Sequence, residues 1–358
     1  MPFPQIFDNT FPQIFTVSHN AFLYHSSSIV NLVDYNWPDK YGGRSFSGKF
    51  GDNAVWRLDG GTDTVTVAPE GYWTLSEPGD YEETLFDFEQ YLEEHGVWIG
   101  DIVERVHILE GITSIEEGAF RNYYLFELEL PSSLQRIEDG AFYGTEVGRA
   151  LFLPENVSYI GKEAFFDMKV YDFQVDSRNR YFASELGVLY DKQMTHLISF
   201  VGSMGKSSLE IPVGVQVIAD GAFFKCEELQ NITLPMGLQS IGAFAFQNSG
   251  IREIVIPEGI EILAVGTFLN SALERIVLPS TISEMEYCSM SCPNLREIVF
   301  MGPPPAVIGE DVFGGCPEDM VIRYPVQYAS EWDKNGVATW QGFRIQPFDA
   351  SLGVPDKL

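Results

Sequence analysis

The sequence predicts an α/β solenoid: short parallel strands stacked into one concave sheet, short helical turns on the convex side, and a cap at each end. Three observations carry this. A pattern of the form L-x-x-I-x-L-P-x-x-(V/I/L)-x-x-I-x-x-x-A-F recurs from about residue 106 to residue 300, most clearly at 125–142, 229–246 and 251–268. Its proline position, taken as an anchor, falls at Leu109 (a substituted first copy), Pro131, Pro154, Pro212, Pro235, Pro257 and Pro279. Neighbouring anchors are 22 or 23 residues apart, except for a gap of 58 between Pro154 and Pro212. Equivalent residues recur at fixed offsets from each anchor. A unit of this length cannot bury its own apolar face, so consecutive copies must stack, all running the same way.

Residues 1–45 precede the pattern and contain FPQIF twice, at 3–7 and 11–15. This apolar arm is expected either to pack on its own cap or to dock on a partner. Residues 46–105 form an N-terminal cap, in which 82–96 (EETLFDFEQYLEEHG) reads as an amphipathic helix ended by Gly96. Repeats occupy 106–300, with a hairpin insertion at about 175–200, and 301–358 close the stack.

Within each copy, the residues one and three positions before the anchor are apolar: Leu130 and Leu128, Ile256 and Ile254, Leu278 and Ile276, for example. A two-residue spacing puts both rows on one face of a short strand, which proline then ends because it donates no ladder hydrogen bond. Six after the anchor comes Ile115, Ile137, Ile160, Ile218, Ile241, Leu263 or Met285. Eleven after it comes Phe120, Phe142, Phe165, Phe223, Phe246, Phe268 or Met290, preceded by a small residue. These rows are expected to form the core, with rings stacked from copy to copy at about 2–3 kcal/mol of burial each.

The irregular segments carry a resemblance as well. The repeat is similar to the BspA-type leucine-rich repeat of bacterial and some protozoan surface proteins, over roughly residues 48–345. VDSRNRYFASELGVLYDKQMTHLISFVGSMGK (175–206) resembles that family's hairpin insertion, and SGKFGDNAVWRLDGGTDTVTV (47–67) the β-hairpin that often precedes its first repeat. PPPAVIGEDVFGGCP (303–317) and VIRYPVQYASEW (321–332) resemble its closing cap. The resemblance implies a leucine-rich-repeat solenoid that acts as an adhesin or binding scaffold, at the cell surface or secreted, with a protein or glycan ligand. The N-terminus, MPFPQIFDNTFPQIF, departs from this, because it has neither a basic region nor a continuous apolar stretch and does not read as a secretory signal.

Composition narrows the partners. The chain has 358 residues and a formal net charge of −29, which disfavours nucleic acid and anionic membrane surfaces. Between Arg57 and Arg105 there is no Lys or Arg but thirteen Asp and Glu. No apolar run reaches the ~18–20 residues of a membrane span. The four cysteines, Cys226, Cys288, Cys292 and Cys316, have neither zinc nor disulfide-scaffold spacing and read as buried thiols.

Strand residues that alternate with the core rows should line the concave face. Two before the anchor lie His107, Glu129, Phe152, Glu210, Thr233, Val255, Val277 and Val299. The three valines form one candidate binding stripe. His107, Phe126, Glu127, Glu129 and Phe152 form a second, mixed aromatic and acidic candidate suited to a protein partner. Beside the valines, Glu253, Arg275 and Glu297, and Arg252, Glu274 and Arg296, alternate in sign, as expected of an exposed ladder that neutralises itself.

Catalytic signals are weak. GSMGKSS (202–208) lacks the first glycine of a P-loop and leads into a strand. No metal-binding, Ser–His–Asp or Cys–His set follows from spacing, so no catalytic residue, metal or cofactor is assigned. The expected role is therefore a binding scaffold. The alternatives are a structural spacer that self-associates through the N-terminal arm, or an intracellular protein-interaction module.

Overall fold

A computed structural model of the chain describes residues 45–50, 54–59, 64–69, 105–201, 205–334 and 336–355. The chain falls into two compact units, 1–112 and 113–358. In the first, Ser45–Phe50, Ala54–Asp59 and Thr64–Pro69 form an antiparallel meander, one strand more than the expected hairpin. Arg105–Ile108 then pairs with Thr64–Pro69 in parallel. Along that strand Val106 and Ile108 are buried and His107 is half-buried, as period-two alternation requires. The FPQIF arm and the acidic helix at 82–96 lie outside the described residues.

The second unit is the repeat. Its main sheet runs in sequence order through Ser208–Glu210, Asn231–Thr233, Glu253–Val255, Arg275–Leu278, Glu297–Phe300, Val321–Pro325 and Phe343–Phe348, all parallel, and ends on the antiparallel strand Thr339–Trp340. The register aligns Ile254, Ile276, Ile298, Ile322 and Ile345 into one row of isoleucines, all buried. The closing segment thus begins as two further strands in the repeat's own register, with Pro325 at an anchor position.

The gap between Pro154 and Pro212 holds more than an insertion. Phe173–Val175 pairs in register with Leu151–Leu153, which puts Asp176 at the anchor, 22 residues after Pro154 and 36 before Pro212. The gap is therefore one ordinary copy followed by one enlarged copy. In the enlarged copy Phe182–Glu185, Val188–Asp191 and His196–Phe200 form an antiparallel meander, whose last strand pairs in parallel with Val217–Ile218. Leu197 thereby falls beside Ile218, and the Phe200 N–H donates to the Ala222 carbonyl at 2.9 Å, as the core phenylalanines of the other copies do. Asn179 ties the turn into this register. It is buried, donates to the carbonyls of Pro154 (2.8 Å) and Val157 (3.0 Å), and accepts from the N–H groups of Tyr181 (2.8 Å) and Phe182 (2.9 Å). All four bonds an amide can make are formed.

The convex side is built of turns, not of helix. Each regular copy has two left-handed residues, four apart, except the copy anchored at Pro279, which has the first alone. Nine after the anchor sit Gly118, Gly140, Glu163, Gly221, Phe244, Gly266 and Cys288, and thirteen after it Asn122, Gly144, Asp167, Lys225, Asn248 and Asn270, all with φ between 52° and 68°. Positive φ suits Gly and Asn and interrupts any helix. Freed from helix bonding, alternate N–H groups reach the next copy: Gly140 to Lys162, Phe142 to Ala164 and Gly144 to Phe166, at 2.8–2.9 Å. Among the described residues the α-helix is confined to Ala329–Trp332.

Between sheet and turns the phenylalanine row stacks as expected. Ring centroids lie 5.4 Å apart for Phe120–Phe142, 5.7 Å for Phe142–Phe165, 5.0 Å for Phe223–Phe246 and 5.3 Å for Phe246–Phe268, each pair within 8° of parallel. Phe166 and Phe224, 4.6 Å apart, continue the contact past the enlarged copy on the convex side. A Cβ on Gly221, at φ 61°, would strike the Phe166 ring, so backbone and packing both require glycine there. At the far end Phe300, Trp332, Trp340, Phe313 and Phe343 close the core, and Trp332 Nε1 donates to the Gly302 carbonyl at 3.1 Å.

Phe246→Ala should lower stability by roughly 3–5 kcal/mol and broaden unfolding across the two neighbouring copies. Chemical denaturation followed by fluorescence checks this, and an unchanged midpoint would show that the row does not form the core.

Candidate functional surface

The open side of the repeat carries the residues two, four and five positions before each anchor. Its two ends differ. At the N-terminal end of the second unit, Phe126, Arg149 and Tyr171 follow one another five before the anchor, and Glu129, Phe152 and Gln174 two before it. Phe126, Phe152 and Tyr171 are 43%, 47% and 59% exposed, which is large for aromatic rings. Arg149 shows what this chemistry accommodates. Its guanidinium carbon lies 4.8 Å from the Phe126 ring centroid, and its Nη1 is 3.2 Å from Glu127 Oε1. The structure therefore places Phe126, Glu127, Glu129 and Phe152 together, as the sequence suggests, and adds Tyr171. His107 lies on Arg105–Ile108, in the first unit. Tyr171 was missed because Asp176 hides the anchor of its copy.

At the other end the valine stripe does not form. Val255 is 60% exposed, but Val277 is 3% and Val299 0% exposed. The exposed charge ladder is likewise corrected. Arg275 Nε donates to Glu297 Oε2 at 2.5 Å, Arg323 Nε stands 2.7 Å from Glu297 Oε1, and Glu297 is buried. The second contact is close but poorly aligned, since neither atom completes a hydrogen bond. A buried carboxylate between two guanidinium groups is costly to break by removing one partner, and is no measure of net stability. By contrast Arg252 and Glu274, 3.6 Å apart, remain exposed and contribute about 0–1 kcal/mol. Arg323 was missed because VIRYP reads as cap, although Pro325 and Ile322 carry the repeat's spacing. Beyond Phe343–Phe348 the chain returns to this strip, where the Pro355 carbonyl accepts from Arg275 Nη2 at 2.8 Å.

A profile of the BspA-type leucine-rich repeat region matches residues 100–186 and 198–318, in 6 copies. The chain belongs to the BspA-type leucine-rich repeat family. No curated protein matches it. Among solved structures, the pneumococcal vaccine antigen PcpA is similar, with 22% identity, a TM-score of 0.59, and coverage of 69% of this chain and 68% of that one. A leucine-rich cell surface protein from Faecalibacterium prausnitzii A2-165 is similar at 26% identity and a TM-score of 0.47, over 57% of this chain and 65% of that one. A leucine-rich repeat protein from Eubacterium ventriosum is similar at 18% identity and a TM-score of 0.44, over 79% and 78%. The first of these likenesses shows the shared leucine-rich-repeat fold.

In this BspA-type chain the cysteines serve the repeat. Cys226, Cys292 and Cys316 direct Sγ at the carbonyls of Phe200 (3.8 Å), Phe268 (3.0 Å) and Met290 (3.1 Å), the core-row residues of the preceding copies. Thr145 Oγ1 does the same for the Phe120 carbonyl. No disulfide joins any of the four cysteines. Burial raises the Cys292 thiol to about 12 from its ordinary 9.0, and raises Cys316 as well, which keeps both protonated and unreactive at neutral pH.

The raised thiol fixes a pH dependence. Between about pH 9 and 12 the folded chain holds the Cys292 proton that the unfolded chain has lost, so stability falls as pH rises through that window and is fully present below it. Cys292→Ser should reduce this alkaline slope, read from denaturation midpoints at neutral and alkaline pH. An identical slope in the variant would contradict the burial of the thiol.

Proposed function

We propose that the chain is a recognition scaffold whose N-terminal open face binds a protein at a cell surface. The observation that carries this is the set of exposed rings, Phe126, Phe152 and Tyr171, interleaved with Glu127 and Glu129 across successive copies of the repeat. Aromatic anchors presented at low conformational cost are what interface hot spots use. The acidic neighbours and the net charge of −29 favour a basic segment on the partner, in the manner in which Arg149 already lies over Phe126 and against Glu127. A glycan stacked on the same rings is the second ligand class, and the surface location rests on the family's typical role. No helix among the described residues is long and apolar enough to cross a membrane.

The test is a binding screen of the purified chain against surface proteins and glycans, beside a Phe152→Ala/Tyr171→Ala variant whose folding is verified by its melting curve. A hit should weaken at least tenfold in the variant, which removes two exposed rings. A hit that binds the folded variant as tightly as the parent would remove this surface from the account.

A further inference from the structure

On the open face, burial departs from the repeat over neighbouring strands. Val255 stands exposed, while Val277, Glu297 and Val299, on the next two strands, are buried. Phe343–Phe348 lies three places along the sheet from Arg275–Leu278. Yet the Pro355 carbonyl, seven residues beyond Phe348, receives the Arg275 hydrogen bond. Three strand spacings are about 14 Å, well within reach of seven residues. The segment 349–355 therefore crosses Val321–Pro325 and Glu297–Phe300 on the side of the sheet that carries Arg275, Val277 and Val299.

This strap is held lightly. It opens with a turn in which the Asp349 carboxylate accepts from Ser351 N (3.0 Å) and Oγ (2.6 Å). Leu352 and Val354 are 85% and 45% exposed, so its aliphatic side chains anchor it little. The strip it returns to is a different matter: two buried valines, and two guanidinium groups sharing one carboxylate, in a chain that is otherwise strongly acidic. Two arginines to one glutamate leave donors that call for an acceptor oxygen, and the valines call for aliphatic contact. We infer that this strip is a peptide-binding groove closed by its own strap, and that its ligand is an extended, aliphatic, proline-containing segment of a partner protein whose main-chain carbonyl replaces that of Pro355 on Arg275. The groove shares no residue with the N-terminal surface, so either can fail alone.

In the parent chain the strap competes at an effective concentration on the order of millimolar, which excludes a weak ligand. Gly353 offers a way to loosen it. Its φ of 92° and ψ of −170° lie where only glycine rests without strain, and a Cβ added there meets nothing within 4 Å. Gly353→Val should therefore lift the strap without disturbing the sheet. The probe is a fluorescent peptide of residues 349–355, DASLGVP, titrated into the full chain. It should bind Gly353→Val at least tenfold more tightly than the parent. Adding Arg275→Ala, or Val277→Ser (which leaves the ion pairs intact), should abolish the gain. Equal affinity for parent and Gly353→Val, or a gain that survives both added substitutions, would overturn the groove. So would concentration-dependent dimers of Gly353→Val that exclude the peptide, which would mean strap exchange between two copies.

Discussion

Main-chain hydrogen bonding between consecutive copies, in fixed register, is the constraint on which the second unit rests. The strands bond sideways at the sheet, and on the convex side alternate N–H groups bond forward to the next copy. Once these ladders are set, every residue type falls into a row, and each row has one environment. Isoleucines meet isoleucines, rings stack on rings, and hydroxyl or thiol groups cover the carbonyls of the ring-bearing residues. A copy cut from the stack would lose both its apolar cover and the partners of its main chain.

The same constraint explains what was legible in the sequence. The core rows were, because burial on a strand or beside a turn demands apolar residues at every repeat of the period. The absence of convex helix was legible in principle: glycine nine after the anchor and Asn, Asp or Gly thirteen after it mark left-handed positions, and Glu163, Phe244, Cys288 and Lys225 there are the exceptions. The copy anchored at Asp176 was hidden because its anchor proline is replaced, while the buried amide of Asn179 secures the turn instead. Most of the aromatic and acidic surface follows from strand alternation alone.

The valine stripe could not be judged in this way. Val255, Val277 and Val299 occupy identical positions in identical local patterns, so nothing within the copies separates an exposed valine from a covered one. What differs lies outside the copies: a segment far along the chain returns to Arg275, on the strand that carries Val277. Arg275, Glu297 and Arg323 change character for the same reason: an alternating ladder that would be screened at the surface becomes a desolvated cluster beneath cover. One regular scaffold thus presents two chemically distinct strips, one open, aromatic and acidic, the other covered, aliphatic and locally basic.

The central claim is that stacking continues unbroken through the enlarged copy at 176–211. Native-state hydrogen exchange, resolved copy by copy, tests it most directly. Continuous stacking requires the amides of the Phe173–Val175 strand, of Phe200 and of the Val217–Ile218 strand to be protected as strongly as those of the regular copies on either side, and to lose protection together with them. Fast exchange of these amides, beside two separately protected blocks before Asp176 and after Pro212, would contradict it.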